Sequence, residues 1–305
     1  MHFTNFLGIL ALTATTTMAQ STLPLRIVTW NIRWATPVRE INEKPWSTRG
    51  PLVVSTLSKT IAETPNNAGI VIGMQEVIST QLDDIKTGLG KDEWSHIGVG
   101  RDDGKTKGEF SPILYQPKAL RLLYNETKWL SPTPDKPSYG WGAGSRRVVT
   151  IGVFEHVGTG RRFVAANTHL DNVSSRARSE GVKVALARIQ AVQQQYAVEG
   201  APALPVSLTG DFNSEPGQDA YTTVTGSGYL EELYEMADAS QRAGPYETYT
   251  SFSSSTKGSR IDFAWLGPAA DKKWTVSKYE VVDNVVDKVY ASDHRMVFGD
   301  VEVAA

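Results

Sequence analysis

Residues 25–32 read LRIVTWNI, and residues 69–76 read GIVIGMQE. Each segment is a short apolar run, rich in Val and Ile, that ends in polar residues, which is the pattern of a strand buried on both faces. Residues 48–63, between the two runs, predict a helix. The sequence therefore begins with an alternating α/β pattern.

The rest of the chain continues this pattern. Helices are predicted over residues 79–89 and 175–198, and strands alternate with helices before clustering in consecutive pairs. This order predicts an α/β fold with two mixed sheets stacked face to face and helices outside. The longest helix has apolar residues at helical spacing, namely Val182, Leu186, Ile189 and Val192. The remaining predicted strands are residues 112–116, 120–130, 147–157, 162–170, 204–211, 260–266, 274–282 and 296–303.

Composition limits the class of protein. The chain has 305 residues, of which 40% are hydrophobic and 21% charged, so it can bury a large core and is not disordered. Its formal charge is -2, and proteins that bind DNA tightly and non-specifically usually carry an excess of basic residues, so this class is not favoured. Residues 131–145 and 248–259 have the composition of loops rather than of an interdomain linker. We therefore predict a single domain over residues 20–305.

The amino-terminal segment, residues 1–19, has the features of a secretory signal peptide. It lacks Lys, Arg, Asp and Glu, is apolar over residues 6–12 and ends in Thr-Met-Ala. No later segment is apolar over the roughly 20 residues of a membrane span, so we predict a secreted, soluble monomer.

The absence of cysteine excludes disulfides, thiolate zinc sites and a cysteine nucleophile. Glycosylation sequons begin at Asn125 and Asn172, and the sequence leaves their use open.

Polar residues that could perform chemistry follow the ends of predicted strands. They are Asn31, Glu76, His169, Asp211, Asn213, Asp262, Asp293 and His294. Each one alone is typical of a turn or cap, but strand ends at one edge of stacked sheets can share a cleft. His96 and His156 lack such neighbours, and we expect them at the surface or in loops.

This set of residues favours phosphate chemistry. Oxygen ligands with few histidines favour Mg²⁺, Mn²⁺ or Ca²⁺ over zinc, and Mg²⁺ commonly binds one or two carboxylates together with substrate phosphate. Hydrolysis of a phosphate ester needs an oriented water, neutralisation of the phosphoryl charge and help for the leaving oxygen. Carboxylates, amides, histidines and a metal can together meet these needs.

A series of motifs, in chain order, resembles the endonuclease/exonuclease/phosphatase superfamily, which includes pancreatic deoxyribonuclease, and in particular a secreted branch of it. The motifs are WNIR (30–33), MQEV (74–77), NTHLD (167–171), GDFN (210–213), RIDF (260–263) and SDH (292–294). The resemblance implies a four-layer α/β sandwich, in which two stacked mixed β-sheets are flanked by helices.

The resemblance also implies a metal site and a set of substrate contacts. Glu76 would be the principal metal ligand, with Asn31 and Asp293 close to the metal, which would be Mg²⁺, Mn²⁺ or Ca²⁺. The candidate substrate contacts are Arg33, Arg101, Asp102, Asp103, Glu109 and Arg147.

Catalytic roles follow from the same resemblance. Asp211 would orient or deprotonate the attacking water, and Asn213 would hold a phosphate oxygen. His169 would stabilise the transition state or the leaving group. His294 would contact the scissile phosphate while Asp262 fixes its tautomer and charge.

The leading functional hypothesis is a secreted, divalent-metal-dependent phosphoesterase acting on a small or sugar-linked phosphomonoester or phosphodiester. A deoxyribonuclease-like endonuclease, with nucleic acid as its substrate, is the alternative. A sphingomyelinase-like phosphodiesterase has the same catalytic set but needs an exposed apolar element, and none is evident in the sequence. An inactive binding protein of this fold is expected to have lost catalytic residues, and none is missing here.

Overall fold

The computed structural model describes residues 22–255 and 257–305, so the predicted signal peptide lies outside the described residues. The helices are α1 (Trp46–Ala62), α2 (Ser79–Leu89), α3 (Ser175–Gln195), α4 (Asp219–Gly226) and α5 (Leu233–Met236). The strands are β1 (Leu23–Asn31), β2 (Gly69–Gln75), β3 (Ser95–Ile97), β4 (Ile113–Tyr115), β5 (Leu120–Trp129), β6 (Val148–His156), β7 (Arg162–His169), β8 (Val206–Asp211), β9 (Glu231–Glu232), β10 (Arg242–Ala243), β11 (Asp262–Gly267), β12 (Trp274–Val282), β13 (Val285–Val286), β14 (Val289–Tyr290) and β15 (Met296–Val303).

The strands form two large mixed sheets. The first sheet has seven strands in the order β10-β12-β15-β1-β2-β4-β3, and the second has six in the order β5-β6-β7-β8-β11-β9. In the first sheet β1 is parallel to β2 and antiparallel to β15, while in the second β8 is parallel to β7 and antiparallel to β11. The prediction of two mixed sheets is confirmed.

Alternation of side chains along the strands produces the layers. On β1, Ile27 belongs to the apolar layer between the sheets, whereas the next residue, Val28, packs in the layer that contains Leu57 of α1. On the second sheet, Leu208 lies in an outer layer with Ile189 of α3. Helices therefore cover the outer faces of both sheets, which confirms the four-layer sandwich.

The long helix follows its predicted pattern. It begins at Ser175, where the Ser174 side chain accepts a hydrogen bond from the amide of Ala177, and it ends at Gln195. The apolar residues predicted to share one face are all buried: Val182, Leu186, Ile189 and Val192.

One expectation about the histidines is wrong. His156 is buried at the end of β6, where its Nε2 lies 2.9 Å from the carbonyl oxygen of Asn67 and its Nδ1 lies 3.0 Å from Oγ1 of Thr159. Both partners come from neighbouring turns, which the sequence pattern around His156 does not reveal.

Within the described residues, no helix combines the length and apolar character needed to cross a membrane.

Candidate active site

Strand ends from both sheets meet at one edge of the sandwich. In the second sheet, Asp211 at the end of β8 is in register with His169 at the end of β7 and with Asp262 at the start of β11. In the first sheet, Asn31 ends β1, and Glu76 follows its parallel neighbour β2. Strand register therefore brings together three of these side chains in the second sheet and two in the first, from five separate motifs.

Three non-glycine residues just beyond these strand ends have a left-handed backbone. The φ angles are 58° at Arg33, 58° at Glu76 and 47° at Asn213. Hydrogen bonds hold two of them, since the amide of Arg33 donates to Oδ1 of Asn31 and that of Asn213 donates to Oδ1 of Asp211, both at 2.9 Å. Such strained conformations are concentrated at functional sites, where surrounding contacts maintain them.

These residues surround an open cavity of ≈ 560 Å³. The predicted site residues that line it are Arg33, Glu76, Arg101, Glu109, Arg147, His169, Asp211, Asn213, Asp293 and His294. Asn31 and Asp262 are fully buried directly behind this lining. The structure therefore places the predicted catalytic and metal residues in or immediately behind one cleft.

Asn31 joins two of the carboxylates. Its Nδ2 donates to Oε1 of Glu76 at 3.1 Å and to Oδ2 of Asp211 at 2.9 Å. Its Oδ1 accepts from the amide of Arg33, which fixes the orientation of the side-chain amide. In this arrangement Asn31 fixes the relative position of the two carboxylates and directs its oxygen away from them.

His294 is held in the charged form. Its Nδ1 lies 2.8 Å from Oδ2 of Asp262, and its Nε2 lies 3.7 Å from Oδ2 of Asp211. Burial alone would lower the pKa of His294, but the carboxylates of Asp262 and Asp211 outweigh it and raise this pKa to about 10. His294 therefore presents a positive charge to the cleft at neutral pH.

His169 is held in the neutral form. Burial and the positive charges of Arg147 and Arg101 keep the pKa of His169 well below its ordinary value. The side-chain amide of Asn213 donates to its Nε2 at 3.1 Å, so the proton resides on Nδ1, which lies 3.9 Å from Oε2 of Glu109. The two histidines thus offer opposite chemistry across one cleft.

Asp211 lies between the histidines. Its Oδ2 is 3.5 Å from Nε2 of His169, and burial together with the nearby carboxylate of Asp262 raises the pKa of Asp211 to about 7. A carboxylate with a pKa near neutrality can accept a proton from water and release it again.

The comparisons with known proteins agree with this geometry. Residues 28–294 match the endonuclease/exonuclease/phosphatase family. The chain belongs to this family. A family member of known structure from Bacteroides vulgatus is 31% identical with a TM-score of 0.79, over 92% of this chain and 99% of that protein. No curated protein sequence matches significantly.

Two further relatives of known structure come from Bacteroides thetaiotaomicron. An endonuclease/exonuclease/phosphatase family protein is 28% identical with a TM-score of 0.80, over 93% of this chain and 100% of that one. A mannosyl-6-phosphatase is 30% identical with a TM-score of 0.77, over 91% of this chain and 99% of that one. The resemblance of the motifs to the endonuclease/exonuclease/phosphatase superfamily is therefore confirmed.

In this chain, the carboxylates that line the cleft are suitable ligands for a hard divalent cation. Glu76 and Asp293 both line the cleft, and burial together with the charge of Glu76 raises the pKa of Asp293 to about 6. A cation between them would relieve this repulsion. Asp211, Asp262 and His294 also offer ligand atoms within 4.8 Å of one another. In the present arrangement, however, Nδ1 of His294 is hydrogen-bonded to Oδ2 of Asp262 at 2.8 Å, so this nitrogen is not free to bind a metal.

Two of the predicted substrate contacts lie outside the cavity. Asp102 pairs with Arg146 at 3.1 Å, and Oδ1 of Asp103 accepts hydrogen bonds from the amides of Lys105 and Lys107 in its own turn. The Asp103 carboxylate is satisfied within the loop that follows β3, and the Asp102 carboxylate is satisfied by Arg146 from the loop before β6. The Asp-Asp-Gly sequence therefore builds a turn, and neither aspartate reaches the cleft.

Several cavity-lining residues were missed by the sequence analysis. They include Glu40, Ser145, Asn172, Gln218 and Tyr249. Asn172 directly follows the NTHLD motif and was identified only as part of a sequon, so its position next to that motif was the available signal. Glu40 lies in a loop and pairs with Arg33 at 3.1 Å, a contact that no local pattern reveals.

Proposed function

We propose that this protein is a divalent-metal-dependent phosphomonoesterase acting on a small, sugar-linked phosphate. The observation that carries the proposal is the convergence of Glu76, Asp293, Asp211 and the two histidines on one cleft, with Oδ2 of Asp211 lying 3.5 Å from His169 and 3.7 Å from His294. Similarity to a mannosyl-6-phosphatase supports the substrate class.

Each side chain of the cleft would have its own role in hydrolysis of the phosphate ester. A water within reach of Asp211 would attack phosphorus in line with the leaving oxygen, and Asp211 would take up its proton. His294 would donate a hydrogen bond to a phosphoryl oxygen, where negative charge develops. Asn213 would position His169 rather than hold a phosphate oxygen, because its side-chain amide already donates to Nε2 of His169 and to the carbonyl oxygen of Leu170. Neutral His169 would hydrogen-bond to the leaving oxygen as the P–O bond breaks. The alkoxide would take up a proton from solvent to leave as the alcohol, and Asp211 would release to solvent the proton taken from the attacking water. A divalent cation, Mg²⁺ or alternatively Mn²⁺ or Ca²⁺, held by Glu76 and Asp293 would supply charge neutralisation at the phosphoryl group.

Two other activities remain as alternatives, a deoxyribonuclease-like endonuclease and a sphingomyelinase-like lipid phosphodiesterase. The net charge of -2 gives little support to the deoxyribonuclease-like endonuclease. The lipid phosphodiesterase has one observation in its favour, because Val38 and Ile41, on the loop that carries Glu40, are 80% and 87% exposed. These side chains supply an exposed apolar element that was not evident from the sequence.

A substrate panel tests the proposal. The protein is incubated with mannose 6-phosphate, a nucleoside monophosphate, bis(p-nitrophenyl) phosphate, plasmid DNA and sphingomyelin vesicles, each with Mg²⁺, Mn²⁺, Ca²⁺ or EDTA. We expect metal-dependent release of phosphate from the sugar ester, and its loss in Glu76→Ala. Glu235→Ala, which changes an exposed carboxylate outside the cleft, is the matched control. Plasmid nicking or vesicle hydrolysis without sugar-phosphate turnover would replace the proposal with the corresponding alternative.

We further propose that the protein is exported as a monomer after cleavage of residues 1–19. The apolar, uncharged start of the chain supports export. Amino-terminal sequencing of protein from the culture medium should begin at Gln20, and gel filtration should give a monomeric mass. Retention of the intact chain inside the cell would contradict the proposal.

A further inference from the structure

One wall of the cleft is a polar surface formed by Ser145, Arg147 and Asn172, which we call the polar wall. The buried carboxylate of Asp171 holds it in place. This carboxylate accepts hydrogen bonds from the amides of Gly144 at 3.1 Å and Ser145 at 3.3 Å, and Oδ2 lies 3.5 Å from Nε of Arg147.

The other carboxylate oxygen of Asp171 fixes the opposite side of the wall. Oδ1 accepts from the amides of Val173 at 3.0 Å and Ser174 at 2.9 Å, at the start of α3. A single carboxylate thus ties the loop before β6 to the beginning of α3. Groups held on both sides in this way are preorganised for binding.

The wall presents hydrogen-bonding groups that have no protein partner. Nη1 of Arg147 is buried and has no hydrogen-bond partner among the described residues. Nη2 of the same guanidinium donates to Oδ1 of Asn172 at 3.0 Å. The amide NH₂ of the exposed Asn172 has no hydrogen-bond partner among the described residues, and Asn172 lines the cleft together with Ser145. A buried guanidinium donor without a partner is unfavourable unless a water or a ligand group satisfies it.

The charge of this region favours neutral ligand groups. Arg147 is balanced by Asp171, and the neighbouring Arg101 is paired with Glu109 at 2.7 Å. The wall therefore offers directed hydrogen bonds with little excess positive charge, which suits hydroxyl groups better than a second phosphate or carboxylate. Arg147 also lies close enough to His169 and Asp211 to influence both electrostatically. A ligand group on the wall is thus next to the reaction centre.

We propose that Ser145, Arg147 and Asn172 bind the hydroxyl groups of the leaving alcohol, so that the enzyme selects phosphate esters of sugars and other polyols. This inference rests on the proposed phosphomonoesterase function. It also requires Asn172 to be unmodified, because a glycan on its Nδ2 would fill the space that the sugar needs.

The test compares two esters that differ in their hydroxyl groups. Mannose 6-phosphate and cyclohexylmethyl phosphate each place a six-membered ring one carbon from the ester oxygen, but only the first has ring hydroxyls. We expect Asn172→Ala and Ser145→Ala each to lower the ratio of kcat/KM values, sugar ester over cyclohexyl ester, by about tenfold, as expected for the loss of one hydrogen bond. Asn125→Ala, in the other sequon and on the exposed face of β5, should leave the ratio unchanged.

The outcomes separate the two proposals. If the wild type hydrolyses both esters and neither wall variant changes the ratio, the subsite is wrong while the phosphomonoesterase function stands. If the variants selectively lose turnover of fructose 1,6-bisphosphate instead, the wall binds a second anion and the hydroxyl assignment is overturned. If the wild type hydrolyses neither ester, the proposed function fails and this inference fails with it. Full activity with Asn172 completely glycosylated, measured by mass spectrometry, would also refute it.

Discussion

The buried amide of Asn167 joins the two sheets directly beneath the cleft, and its removal is a demanding test of the structure. Its Oδ1 accepts from Nε2 of Gln75 at 2.7 Å and from Oγ1 of Thr209 at 3.1 Å. Its Nδ2 donates to the carbonyl oxygens of Met74 at 2.7 Å and Pro112 at 3.0 Å. We predict that Asn167→Leu, which keeps the approximate size of the side chain and removes these bonds, destabilises the protein strongly.

The expected magnitude follows from the partners. Each of these hydrogen bonds contributes about 1 kcal/mol net, so losing all of them costs about 4 kcal/mol. Gln75 keeps its bond to Thr29, Thr209 keeps one to the carbonyl of Ala166, and the carbonyl of Pro112 keeps one from the amide of Met74. The loss should therefore stay near this sum, which is already a large share of the roughly 5–15 kcal/mol that stabilises a typical protein.

Equilibrium unfolding in urea, followed by tryptophan fluorescence, measures this free energy. Asn125→Leu is the matched control because Asn125 is exposed on β5 of the same sheet. A loss below about 1 kcal/mol in Asn167→Leu, or equal losses in the two variants, would refute the assignment of a cross-sheet network at Asn167.

Three further predictions concern other buried groups. Burial lowers the pKa of His156, so the unfolded chain binds the proton more readily and stability falls as pH drops below about 6.5. In His156→Gln, urea unfolding should show a smaller difference between pH 7.5 and pH 5.5. Asp262→Asn should reduce kcat about 100-fold and also lower the unfolding free energy, because the buried His294 loses its charge partner; an unaltered kcat would contradict that role. Asp300→Ala should cost about 3–5 kcal/mol in urea unfolding by leaving the buried guanidinium of Arg26 unpaired, and a loss as small as that of a surface substitution would argue against the pair.

The sequence predicted the site best where strand register decides the geometry. His169, Asp211 and Asp262 each follow or begin an apolar run, and strands with such runs pair at the centre of a sheet, so their ends had to meet. The same regularity explains why α2 was predicted with its observed bounds of Ser79 and Leu89. Local periodicity and pairing rules are sufficient for these features.

The loops were predicted less well because their contacts are not local. Asp102 and Asp103 look like free carboxylates in the sequence, yet one is paired with Arg146, which lies 44 positions away, and the other closes its own turn. Asn172 lies in the cleft, where its Oδ1 accepts a hydrogen bond from Arg147. No periodic sequence pattern connects these two residues. Contacts of this kind depend on how loops pack against the finished sandwich, so they can only be seen in the structure.

The pairing of β1 with β15 has a consequence for how the enzyme is made. Leu23 is in register with Val303. The central strand β1 of the first sheet therefore pairs with a strand from the other end of the described chain, which is synthesised last. At about 5–20 residues per second, ribosomal synthesis of this chain takes roughly 15–60 s. Throughout that time the apolar β1 strand lacks this neighbour, and His294, next to β15, has not yet reached its place. The first sheet therefore cannot be completed, and His294 cannot take its place in the cleft, until the chain has been synthesised through β15.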